Sequence, residues 1–148
     1  MKIFNRFTVL LLTSAAMACS SNAEKFEPLE NPDFSGSWTE EELGEYNIII
    51  KKNGNSYDVT TVTGMDEYIV CYYTSDFKQG SKSVLKSVGA NKCEFIEVFE
   101  DGRQTVKENE KHDLGELYIR KSDGALVEHI KLEDGSTADV VLPKDPAQ

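Results

Sequence analysis

From Tyr46 onward the chain alternates apolar and polar residues with a period of two, the period of a strand with one buried face. Tyr46, Ile48 and Ile50 share one parity, and Asn47, Ile49 and Lys51 the other. Tyr57, Val59 and Thr61 repeat the pattern against Asp58 and Thr60. Tyr68 to Tyr73 is a continuous β-branched and aromatic run, suited to a strand covered on both faces. Ser83–Val88 is a weaker segment. Cys93–Phe99 places Phe95 and Phe99 opposite Ile96 and Val98. Gln104–Glu108, Glu116–Arg120, Leu126–Leu132 and Thr137–Leu142 complete the series.

Turn signals separate these runs. Asn53-Gly54, Asp101-Gly102, Asp123-Gly124 and Asp134-Gly135 each stand between two of them. Such pairs tolerate the positive φ that tight hairpins need. The pattern predicts an all-β fold, an antiparallel meander of about 8–10 strands closing into a small barrel or sandwich, because closure removes exposed edges. Residues 105–114 are too poor in apolar side chains for a core-facing helix and would give a turn or two at most.

The N-terminus reads as an address. Lys2 and Arg6 precede the apolar run from Phe7 to Ala18. That run, about 12 residues, is too short for roughly 30 Å of hydrocarbon and fits a cleaved signal peptide over residues 1–18. The segment Ala16-Met17-Ala18-Cys19 resembles the lipobox of bacterial lipoproteins, with a small residue before the cysteine and polar Ser20-Ser21-Asn22 after it. The resemblance implies that Cys19 is acylated and becomes the new N-terminus. Ala16-x-Ala18 also suits an ordinary signal peptidase, which would release a soluble protein. Each buried CH₂ adds about 0.8 kcal/mol, so several chains on Cys19 would anchor the protein firmly. Ser20, where inner-membrane retention usually shows Asp, implies the outer membrane of the cell envelope. Residues 19–33, with Pro28 and Pro32, read as a lipidated tether, 34–143 as one domain and 144–148 as a loose tail.

Charge and cysteine count narrow the partners. Removing Lys2 and Arg6 with the leader leaves 14 basic against 26 acidic residues, a net charge of −12. Nucleic-acid binding rests on Lys and Arg neutralising phosphates, so nucleic acid is not an expected partner. A cationic protein suits the charge better, although acidity also serves solubility alone. With Cys19 acylated, Cys71 and Cys93 remain, and an oxidising envelope favours a disulfide between them over two buried thiols.

The segment Phe34-Ser35-Gly36-Ser37-Trp38 resembles the Gly-x-Trp opening of lipocalins and small bacterial lipocalin-like domains. The following Ile48-x-Ile50, Asn53-Gly54 and Tyr57-x-Val59 are similar too. The resemblance covers about the first quarter of the domain plus one late strand. It implies a barrel with Trp38 at the closed end and a late-strand arginine packed over it, for which Arg120 is the candidate. A hairpin over 125–142 follows Arg120, whereas the family's arginine lies near its end.

No catalytic constellation is apparent. The two histidines, His112 and His129, have no metal-ligand spacing, and neither a phosphate loop nor a Gly-x-Ser-x-Gly elbow occurs. No enzyme activity, metal or cofactor is expected. The acidic runs at Glu40–Glu42, Glu97–Asp101 and Glu108–Asp113 read as solvated faces. Tyr46, Tyr57, Tyr72 and Phe95 are either core or the lining of a pocket for a small apolar ligand. The expected function is a non-catalytic envelope lipoprotein that binds a small ligand or a protein and touches the membrane through its lipid. The alternative is a protective inhibitor of a cationic enzyme such as lysozyme.

Overall fold

A computed structural model describes residues 26–146. The expected leader and Cys19 lie outside the described residues, as do residues 20–25 of the expected tether. The described chain is all-β, with nine antiparallel strands: β1 (Gly36–Thr39), β2 (Tyr46–Asn53), β3 (Ser56–Gly64), β4 (Glu67–Phe77), β5 (Val84–Val98), β6 (Gln104–Asn109), β7 (Glu116–Ile119), β8 (Leu126–Lys131) and β9 (Thr137–Leu142). The sheet runs β1-β2-β3-β4-β5-β7-β8-β9, with β6 paired only to β5.

The period-two pattern selects the inner face. Tyr46, Ile48, Ile50, Tyr57, Val59, Leu126, Val140 and Leu142 are all buried. The first hairpin is tight, because Asn53 pairs with Ser56 across Gly54 and Asn55. Gly54 has φ +62° and no positive φ occurs at Asn55, so glycine serves the first central position alone. The turn is thus displaced by one residue from the Asn53-Gly54 centre that the sequence suggests, as a type II′ loop requires.

One strand decides the shape. The segments expected at Ser83–Val88 and Cys93–Phe99 are a single strand, β5, bent in its middle. Its partner advances only from Tyr72 to Thr74 while β5 runs from Val88 to Lys92, an irregularity of the bulge type. Before the bend, Val84 and Leu85 pair with β7. After it, Cys93 to Val98 pair with β6, which departs from the main path. The ladder therefore splits at one end of the molecule.

The ladder itself is open, but its two ends meet. Trp38 and Lys144 form an isolated antiparallel bridge. Thr39 N–H donates to the Pro143 carbonyl at 3.1 Å, and Asp145 N–H donates to that of Ser37 at 2.8 Å. The Asp145 carboxylate also accepts from the hydroxyls of Ser37 and Thr39. The expected loose tail thus starts later than Lys144, because β1 needs partners on its outer edge. The expected tether is likewise held in its last part. Leu29 N–H donates to the Ile119 carbonyl, Lys121 N–H to that of Glu27, and Asn31 N–H to that of Lys82. Phe34, fully buried, follows directly.

Candidate functional site

The interior has two unlike ends. At the first, Phe34, Tyr57 and Phe77 meet edge to face, with ring centroids 5.6, 6.1 and 6.3 Å apart. Trp38 is 2 % exposed beside them, and its indole N–H donates to the Phe34 carbonyl at 3.1 Å. Such edge-to-face aromatic contacts pack this end of the interior.

The second end is hollow. A cavity of about 480 Å³ lies where the ladder splits. Its walls are Tyr46 of β2, Thr61 and Thr63 of β3, Ile69, Cys71 and Tyr73 of β4, Glu128 and Ile130 of β8, and Ala138 and Val140 of β9. All share the inward parity of their strands. His112 and Asp113, from the link between β6 and β7, and Lys131 to Asp134 with Asp139 form the rim. That volume falls within the range of about 300–1,000 Å³ usual for small-molecule sites.

Glu128 is the one acidic side chain inside the walls rather than at the rim, and it is only 3 % exposed. The Tyr46 hydroxyl donates to its Oε1 at 2.6 Å, and Gly115 N–H donates to its Oε2 at 2.8 Å. Both partners are neutral. Burial pushes the carboxyl above its usual range, opposed by these two hydrogen bonds. Gly115 is a close-approach position, since a Cβ there would stand 2.5 Å from the His129 carbonyl oxygen. Tyr73 donates to the His112 carbonyl at 2.8 Å, and burial raises its phenol to about 12.

The disulfide Cys71–Cys93 joins β4 to β5 at the cavity wall, between directly opposed residues whose Cα atoms are 4.1 Å apart. His112 N–H donates to Cys93 Sγ at 3.4 Å and ties the rim link to this bond.

The four aromatic residues of the expected pocket are not brought together. Tyr46 lines the cavity. Tyr57 belongs to the packed end. Tyr72 has outward parity and is 41 % exposed, with Lys92 5.9 Å above its ring. Phe95 shares the parity of Cys93 but does not line the cavity, because beyond the bend β5 pairs with β6. Arg120 is not the partner of Trp38. Its guanidinium lies over Phe26 at 5.6 Å and forms a two-point ion pair with Asp123 in the β7–β8 turn. Lys144 lies 5.3 Å over Trp38 instead, because the segment after β9, not β7, runs beside β1.

Glu128 is not among the site residues expected from sequence, although it shares one otherwise apolar parity with Leu126 and Ile130. Glu40, expected on a solvated face, is 2 % exposed and accepts from the N–H groups of Glu42, Leu43 and Gly44. Among the described residues no group of three or more His, Cys, Asp or Glu is placed to hold a metal ion. The chain matches no protein-family model, no curated protein and no solved structure.

Proposed function

We propose that this protein is a non-catalytic, lipid-anchored binding module of the bacterial envelope, lipocalin-like in plan, whose interior takes a small and largely apolar ligand. The observation that carries this reading is the 480 Å³ cavity at the end of the interior away from the Phe34, Tyr57 and Phe77 cluster. Its apolar area comes from Ile69, Ile130, Ala138, Val140 and the faces of Tyr46 and Tyr73, and its few polar groups would fix orientation. A binding role fits Glu128, whose carboxyl is held in a fixed orientation at the cavity wall by one donor of the fold on each oxygen. Export and lipidation at Cys19 rest on the N-terminal sequence, and the Cys71–Cys93 disulfide is compatible with that address.

The test is native mass spectrometry of the mature chain carrying Cys19→Ser, which stays soluble without detergent. Purified from envelope extract, it should carry a small-molecule adduct that Ala138→Trp, which fills the cavity, abolishes. A ligand-free spectrum, together with no saturable uptake of a polarity-sensitive dye, would sink the reading. The second reading, a protective inhibitor of a cationic enzyme, rests on the acidic balance alone. It requires lysozyme binding that survives about 0.15 M salt.

A further inference from the structure

We propose that the cavity selects an apolar molecule with a cationic amine head, and that Glu128 is the counter-ion for that head. This rests on the cavity being a ligand site, and it adds the chemical class of the occupant.

The case begins with the neighbours of Glu128. Its carboxyl is fully enclosed, yet it receives only a phenolic O–H and a backbone N–H. A carboxylate offers about four acceptor positions, so two hydrogen bonds leave capacity on both oxygens. No cationic side chain pairs with Glu128 among the described residues. A buried carboxyl in an apolar wall is costly as an anion unless a positive group joins it. The cavity that Glu128 lines is where such a group can enter. An ammonium there donates hydrogen bonds to the free acceptor positions, and the Tyr46 hydroxyl and Gly115 N–H hold the carboxyl in place.

The approach has the same sign. Asp113, Glu133, Asp134 and Asp139 stand at the rim, against Lys131 as the one lysine or arginine there. Asp139 holds His129 at 2.6 Å, and the other three raise the local concentration of cations at the mouth. An anionic amphiphile meets repulsion first from the rim and then from Glu128. The apolar body of the ligand lies against Ile69, Ile130 and Val140.

The experiment compares three probes with one tail: decylammonium, decanol and decanoate, each below its micelle concentration. They are titrated by calorimetry into the mature chain carrying Cys19→Ser, and into the same chain with Glu128→Gln. The expected order is ammonium first, alcohol second and carboxylate last. A charge-assisted hydrogen bond in a buried site is expected to favour ammonium over alcohol by about tenfold or more. Glu128→Gln removes that gap, bringing the affinity for decylammonium down to that for decanol measured in the same variant. The gap persists in about 0.5 M salt, where a rim-only effect is screened. This salt measurement uses the unsubstituted wall and so stands if Glu128→Gln fails to fold. Equal affinity for all three, a preference for decanoate, or an ammonium preference that survives Glu128→Gln overturns the amine-head proposal while cavity binding stands. Failure of all three probes to bind overturns cavity binding itself.

Discussion

The phenolic hydroxyl of Tyr46 donates to the Glu128 carboxyl at 2.6 Å, joining β2 to β8 across the interior above the packed end. A pH dependence follows. Unfolded, Glu128 titrates near its ordinary 4.5, and folded, burial holds it higher. Between those values the folded chain keeps a proton that the unfolded chain has lost. The stabilisation is therefore complete below about 4.5 and is lost as pH rises through the folded value. Glu128→Gln resembles the protonated acid and lacks this loss. Melting curves followed by circular dichroism from pH 4.5 toward neutrality should show the parent falling relative to the variant. Parallel curves would refute the assignment. Asp33 and Asp123 shift downward and lose their contribution only as pH falls below their ordinary 3.8, outside this window.

The disulfide closes a separation of 22 residues. In the chain-entropy model that restriction of the unfolded chain contributes about 3 kcal/mol. Replacing Cys71 and Cys93 together by Ala should lower the denaturant midpoint accordingly, and reductant should destabilise the parent but not the double variant. Equal midpoints with and without reductant would show that the crosslink adds nothing to stability.

The strand content is legible because residues from Tyr46 to Val59 and from Leu126 to Leu142 follow a two-residue period in the main, with Gly-containing turns between them. The long strand β5 was not. Its bend falls at residues 89–91, where the local pattern breaks, and only pairing with β4 on both sides makes one strand of it. The cavity was half legible. Glu128 sits on an apolar parity, which is visible in the sequence, but the void beside it depends on β6 leaving the ladder, which no local pattern encodes. The lipocalin resemblance pairs Arg120 with Trp38, yet the contact depends on which segment lies next to β1, and that is a property of strand order.

Ser75 is fully buried on the inward face of β4, and its hydroxyl has no hydrogen-bond partner among the described residues. A polar group left unmet in the interior costs about 1–3 kcal/mol. Ser75→Ala removes the hydroxyl with little change of volume. It should raise stability by about 1 kcal/mol in equilibrium denaturation. A lower denaturant midpoint would mean that the hydroxyl finds a partner in solution.

Gly36, Trp38 and Lys144 form one unit. Gly36 has φ +145°, which L side chains rarely adopt, and a Cβ there would lie 2.7 Å from Lys144 Cε. Glycine at this point lets the Lys144 stem cross β1 and place its ammonium over the Trp38 ring. Gly36→Ala adds backbone strain and displaces Lys144, at an expected cost of about 1–3 kcal/mol. Lys144→Met keeps an apolar stem and loses only the cation–π contact, about 0.5–1 kcal/mol at an exposed site. Trp38 is the sole tryptophan, so its emission reports this unit alone. Lys144→Met should shift that emission, whereas Arg120→Met, which alters the Phe26 and Asp123 contacts, should leave it unchanged. The opposite result would place Arg120 over the indole and reverse the pairing of the C-terminal segment with β1.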